Sequence, residues 1–217
     1  NWFGPGGELT KFQGNPSLIA DSAGYYYVVV SDNNGCSTYA GVNVKEYGAA
    51  EQRANIWYFG QNAGIDFNNG AVAINDSRMN TIEGCSAISD RNGQIILYTD
   101  GVNVYDKEHN QITTTGIGGN QGATQSALIV PFAGDETLYY IFTTEEVYGT
   151  YNYQLKYSVF DLKKNNGTGA LITENVLIFS PSTERITASG SWLIAHEFGN
   201  NTFRAYPLTG TGIGEPV

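Results

Sequence analysis

"SAISDRNGQIILYTDGVNVYD", residues 86–106, decides the fold. Ser86 to Ile88 is a short run of small and branched residues, and Asp90 to Gly93 supplies residues that tolerate the left-handed backbone of a tight turn. Ile95 to Tyr98 is an apolar, aromatic run, Asp100-Gly101 is a favoured hairpin dipeptide, and Val104 to Asp106 is a third short run. The order returns as "SALIV" (126–130), "YIFTTEE" (140–146) and "YSVFD" (157–161), and again as "TASGS" (187–191), "WLIAHEF" (192–198) and "FRAYP" (203–207). Aligned in this way, Leu97, Phe142 and Ile194 occupy one position of a second strand, and Tyr105, Phe160 and Tyr206 one position of a third. A repeat of about 40–50 residues with three or four strands per unit is the mark of a β-propeller, one unit per blade. Ala87, Ala127 and Ala188 then fall on the innermost strands, where small residues suit the crowded centre.

The rest of the chain agrees with an all-β class. Its 217 residues include 27 glycines and 15 tyrosines, and its apolar runs are short, alternating and bounded by Asn, Asp and Gly. In "QLKYSVF" (154–160), Leu155, Tyr157 and Val159 point one way and Gln154, Lys156 and Ser158 the other, the period of a half-buried strand. No stretch reads as a helix. With 41% hydrophobic content the chain can bury a sizeable core. A formal charge of −10, from 21 acids against 11 bases, argues against a nucleic-acid partner, whose phosphates demand clustered Lys and Arg. No apolar run approaches the about 20 residues that a membrane-crossing helix needs.

Residues 1–46 differ in character from the remainder of the chain. "GYYYVVVSDNNGCSTYAGVNV" (24–44) is two strands joined by a polar turn, with Trp2 far upstream. The pattern is that of the C-terminal half of an immunoglobulin-like sandwich, with Trp2 as its core tryptophan and Tyr26 as the corner tyrosine whose hydroxyl bonds back to the backbone. Val28 stands where antibody domains carry their second cysteine. Half a sandwich cannot bury its inner face, so residue 1 is expected not to be the biological start. Cys36 and Cys85 lie in different modules and are expected to be unpaired with each other. Residues 47–217 leave room for about three to four blades, whereas propellers close with four to eight, so an incomplete propeller is expected.

Three acids align at the ends of the second strands: Asp100, Glu145 and Glu197. Carboxylates converging on one face of a propeller could hold calcium, which prefers oxygen ligands, or could share acid and base work on a glycan. Turn chemistry accounts for them equally: Asp100-Gly101 is a hairpin pair, and acids at strand ends are ordinarily solvated. The turn reading is preferred, so neither a cofactor nor a catalytic residue is assigned. His196-Glu197 begins like a zinc-protease motif, but that motif requires a histidine four residues on and a helix, and position 200 is Asn200 in a strand. His109, in the polar turn "DKEHNQ", is expected to be exposed.

Several segments together resemble a known family. "IWYFGQNAGIDFNNG" (56–70), "EGCSAISDRNGQIILYTDGVNVYD" (83–106), "TQSALIV" (124–130) and "IAHEFGNNTFRAY" (194–206) look like the propeller region of large Bacteroidota surface proteins that carry gliding-motility-associated C-terminal domains. "GYYYVVVSDNNGC" (24–36) is similar to the immunoglobulin-like or PKD-like repeats that accompany it. The resemblance implies a secreted or cell-surface protein, associated with the outer membrane and exported by the type IX secretion machinery. It also implies adhesion or binding of a glycan or surface-protein ligand without catalysis. A glycan-active hydrolase and a structural or accessory cargo subunit of a surface complex are the alternatives. Asp21-Ser22-Ala23 resembles the O-glycosylation acceptor of the same bacteria, which makes Ser22 the candidate site.

Overall fold

The computed structural model describes residues 1–20, 22, 24–44, 52–148 and 152–217. The chain is all-β and divides into two compact units, Asn1–Ala50 and Glu51–Val217. The module boundary expected after residue 46 falls within 45–51, outside the described residues.

The first unit is one antiparallel sheet of β1 (Trp2–Gly4), β2 (Gly7–Glu8), β3 (Gly24–Ser31) and β4 (Ser37–Val44), in the order β2-β1-β3-β4. Aromatic and β-branched residues fill β3, the composition that suits a pleated, half-buried surface. The turn after it is tied by Asp32, whose Oδ1 accepts the backbone N–H groups of Asn34 and Cys36 at 2.9 Å each. Period-2 alternation puts Tyr26 and Val28, with their β4 partners Val42 and Ala40, on one face beside Trp2, and these residues line a shallow apolar depression. On the opposite face Phe3 stacks on Tyr27 with ring centroids 4.6 Å apart. Tyr26 is buried, and its hydroxyl donates to the Ser22 carbonyl at 3.0 Å, the bond back to the backbone that its position led one to expect. Among the described residues Cys36 and Cys85 are both free thiols.

The second unit is four antiparallel sheets in chain order. Sheet I is β5 (Ile56–Phe59), β6 (Ala63–Asp66) and β7 (Val72–Ile74), and sheet II is β8 (Ser86–Ser89), β9 (Ile95–Thr99) and β10 (Val104–Asp106). Sheet III is β11 (Ala127–Pro131), β12 (Leu138–Thr144), β13 (Leu155–Asp161) and β14 (Ala170–Phe179). Sheet IV is β15 (Ser182–Ser189), β16 (Trp192–Glu197), β17 (Phe203–Thr209) and β18 (Gly212–Ile213). The three aligned repeats are sheets II, III and IV. The first strands β5, β8, β11 and β15 adjoin one another in that order, and they carry Ala87, Ala127 and Ala188.

Successive sheets stack face to face, and each contact between them is a core. Ile56 and Tyr58 of sheet I pack with Tyr98 and Tyr105 of sheet II. The other face of sheet II, with Ile88, Leu97 and Val104, meets Ile129, Ile141 and Phe160 of sheet III. The far face of sheet III, with Tyr140, Phe142 and Leu155, meets Ile186, Leu193 and Tyr206 of sheet IV. Every strand of these sheets must therefore present apolar residues on alternate positions, and the interior sheets on both, which is why β9 reads as a continuous apolar run. Gly169 marks one close approach. Its φ of +93° is in the left-handed region, and a Cβ there would lie 1.9 Å from the ring of the fully buried Phe160.

Candidate functional site

Antiparallel pairing sets the end of each second strand beside the start of the first: Thr99 lies opposite Ser86, Thr143 opposite Ala127 and Glu197 opposite Ser182. Asp100, Glu145 and Glu197 consequently stand at the same end of their respective sheets. Each is occupied by donors from its own neighbourhood. Asp100 Oδ1 accepts the backbone N–H groups of Val102 at 2.9 Å and Asn103 at 2.6 Å, and its Oδ2 accepts the side-chain amides of Gln121 at 2.6 Å and Asn103 at 3.2 Å. Glu145 accepts the N–H of Asn152 at 3.0 Å, that of Gln154 at 3.3 Å and the Lys156 ammonium at 3.2 Å. Glu197 accepts the Asn200 amide at 2.8 Å and the Arg204 guanidinium. The Asn200 bond, followed by Arg204, holds the Glu197 carboxyl below the usual carboxylate range.

None of these donors serves two of the three acids, so each acid closes its own turn. The expectation of solvated side chains fails: Asp100 is 1% exposed, and the side chains of Glu145 and Glu197 are 14% and 15% exposed. A buried carboxylate is tolerable at Asp100 because four donors replace its water. Among the described residues no group of three or more His, Cys, Asp or Glu side chains is arranged to hold a metal ion.

Glu184 is a fourth acid at this end, one that its sequence context does not single out. It lies at the start of β15, 7% exposed, where the pairing of β15 with β16 is irregular between Ser182 and Ile186. Its two oxygens accept the backbone N–H groups of Thr124 at 2.7 Å and Val147 at 2.8 Å. Those residues belong to the loops before β11 and after β12, so one carboxylate fastens sheet IV to sheet III. Burial pushes its carboxyl upward, but the Val147 and Thr124 donors outweigh burial and hold it below the ordinary range. The neighbouring Gln125 accepts the Ile186 N–H at 3.1 Å and repeats the fastening.

Sheets II and III are joined at the same end. The buried Ser126 hydroxyl lies within hydrogen-bond reach of the carbonyls of Gly84 and Asp100. A Cβ on Gly84 would come 2.3 Å from the Ser126 nitrogen, so only glycine admits this approach. Beyond these joints the loops leave an open depression lined by Ile82, Glu83, Asn120, Gln121 and Glu146. Ile82 is 80% exposed at its rim. The surface offers amide donors and acceptors, two carboxylates and an apolar edge.

The histidines take other places. His109 is half-buried instead of exposed, because its positive φ of 65° folds the ring back onto the aromatic core. Its Nδ1 lies 3.1 Å from the Tyr98 hydroxyl and its Nε2 3.8 Å from Asp76, while Tyr58 donates to the other Asp76 oxygen at 3.0 Å. His196 packs on Phe203 with ring centroids 4.6 Å apart. Ser22 is exposed beside Tyr26, and Asp21 and Ala23, the other two residues of the acceptor triplet, lie outside the described residues. No known protein family, curated protein or solved structure matches the chain.

Proposed function

We propose that the chain is part of a secreted or cell-surface binding protein whose stacked sheets are blades of a β-propeller, preceded by an immunoglobulin-like or PKD-like module. Adjoining first strands and face-to-face packing of four consecutive sheets support the propeller reading. The Tyr26 corner supports the preceding module. Export by the type IX secretion machinery and attachment at the outer membrane rest on the sequence resemblance alone.

Within this reading the loop end of sheets II and III is the ligand face, and its work is recognition without catalysis. The observation that carries this is the occupation of Asp100, Glu145 and Glu197. Their oxygens are used by turn N–H groups, amides and cations, so these three aligned carboxylates are not free to pair as acid and base on a glycosidic bond. The adjacent depression presents side chains suited to sugar hydroxyls or to a polar protein surface, and its carboxylates disfavour anions. The test is a glycan and matrix-protein array probed with the unaltered chain and with Ile82→Arg and Glu146→Arg. Selective binding that both variants lose, with unchanged melting temperatures, is the expected result. Binding indifferent to both substitutions would place the ligand elsewhere. Glycan cleavage abolished by Glu145→Gln would favour the hydrolase instead.

A further inference from the structure

Four asparagines stand immediately before a glycine: Asn34, Asn69, Asn92 and Asn166. The pair carries its own chemistry, because a glycine without a Cβ leaves its nitrogen open to attack the preceding side-chain carbonyl. The bond from the glycine nitrogen to Cγ forms, the Cγ–Nδ2 bond breaks, and ammonia leaves with the displaced amide proton, which closes a cyclic imide. Water then opens the imide at either carbonyl. One opening gives aspartate, and the other gives isoaspartate, with the main chain rerouted through Cβ and Cγ. All four asparagines are exposed, so water reaches each of them. They differ at the glycine nitrogen, whose proton must be free to leave before the nitrogen can attack.

In three of the turns that proton is held. Gly35 donates to the Asp32 carbonyl at 3.2 Å, Gly93 to the Asp90 carbonyl at 3.1 Å and Gly167 to the Lys164 carbonyl at 2.9 Å. Among the described residues Gly70 alone of these four glycines lacks the corresponding bond, to the Phe67 carbonyl. Its φ is +98°, and no atom lies within 4 Å of where a Cβ would stand, so no neighbouring group crowds it. The residue before the pair makes the place consequential. Asn68 Nδ2 donates to the Gly93 carbonyl at 2.9 Å, and its Oδ1 accepts the Asn55 amide at 3.0 Å, so Asn68 ties the turn between β6 and β7 to the turn between β8 and β9. We propose that Asn69 is a site of spontaneous conversion to aspartate and isoaspartate, and that the conversion loosens the joint at Asn68 between sheets I and II. Isoaspartate adds a carbon to the main chain beside Asn68. Both products place a carboxylate in the turn that Asp66 already occupies, where its Oδ1 accepts the Asn68 N–H at 2.7 Å. None of this depends on the ligand face.

The experiment is a time course of the unaltered full chain in mildly alkaline buffer, folded and in urea, sampled by digestion in acid and peptide mass spectrometry. A neutral hydrogen bond that must first be broken slows the attack by about fivefold, so in the folded chain Asn69 should convert about fivefold faster than Asn34 and Asn166. Asn92 should be slower still, because Gly93 is buried. In urea the four rates should converge. Any other of the four converting first in the folded chain overturns the assignment. So does an equal lead for Asn69 in urea, which would place the cause in the sequence and not in the turn. The aged chain should melt below the fresh one, and Asn69→Gln should resist ageing, since its longer side chain closes the imide poorly. In Asn68→Ala, where the joint is already gone, ageing should convert Asn69 but lower the melting temperature no further. A melting temperature unmoved by full conversion, or one that falls as far in Asn68→Ala, overturns the loosening.

Discussion

Replacing Glu184 by Gln removes one oxygen from a carboxylate that satisfies two loop N–H groups at 2.7 and 2.8 Å. The amide keeps one acceptor and turns an NH2 group toward the other N–H, so a buried donor faces a donor. A hydrogen bond to a charged group contributes about 1.5–3 kcal/mol, and a buried donor left without a partner costs about 1–3 kcal/mol. The two figures describe the same lost contact and do not add in full, so the expected loss is about 2–3 kcal/mol. At roughly 2–4 °C per kcal/mol for a domain of this size, the melting temperature should fall by about 4–12 °C. Glu184→Ala leaves both donors unpartnered and should cost more. Urea unfolding at pH 7 measures the loss, and acid separates its cause. The folded carboxyl is held below its unfolded value of about 4.3, so its stabilisation is fully present above that pH and is lost as pH falls through the folded value. The gap between the unaltered chain and Glu184→Gln should therefore narrow on the acid side. A gap below about 0.5 kcal/mol at pH 7, or one that stays constant into acid, would refute the role given to Glu184.

Other substitutions probe the remaining joints. Gly169→Ala must relieve both a positive φ and a clash with Phe160, and a loss of about 2–4 kcal/mol is expected from chemical denaturation. Tyr140 has a buried hydroxyl with no hydrogen-bond partner among the described residues, and burial pushes it up to about 12. Tyr140→Phe should accordingly be neutral or stabilising by about 1 kcal/mol, and a clear loss would mean that an ordered water serves the hydroxyl. Tyr26→Phe removes the bond to the Ser22 carbonyl and should lower the stability of the first unit by about 1 kcal/mol, read by thermal melting of residues 1–50 in the intact chain through their near-ultraviolet signal. Calcium at millimolar concentration should leave the melting temperature unchanged, because the strand-end acids already have partners; a rise that vanishes in Glu145→Gln would restore the ion site.

The repeats were legible because a face-to-face stack leaves a regular imprint. Small first strands, apolar second strands and an aromatic on the third recur in sheets II to IV, and Asp100-Gly101 announced its hairpin. The bond from the Tyr26 hydroxyl back to the Ser22 carbonyl was legible from its local sequence. Sheet I was harder to read as a repeat: its strands are three or four residues long, and Trp57 and Phe59 face outward where core residues would be expected. Glu184 was illegible. In "STERITAS" a glutamate between polar residues reads as solvent-facing, and its partners are backbone N–H groups, which no side-chain pattern advertises. The burial of Asp100 was missed likewise, since it depends on Gln121 arriving from a loop two turns away. His109 defeated the expectation of exposure through a single left-handed residue.

Because each core lies between two consecutive sheets, the second unit behaves as a chain of nearest-neighbour couplings. Sheets II and III are each held by two such couplings, and sheets I and IV by one apiece. In a linear array of this type, opening spreads inward from the ends, as in stacked repeats, because an end layer forfeits one interface and a middle layer two. Amide exchange should therefore be fastest in β5 to β7 and β15 to β18 and slowest around Leu97, Ile141 and Phe160. Glu184 resists that peeling at one end, where its carboxylate must release two amide protons before sheet IV can swing away.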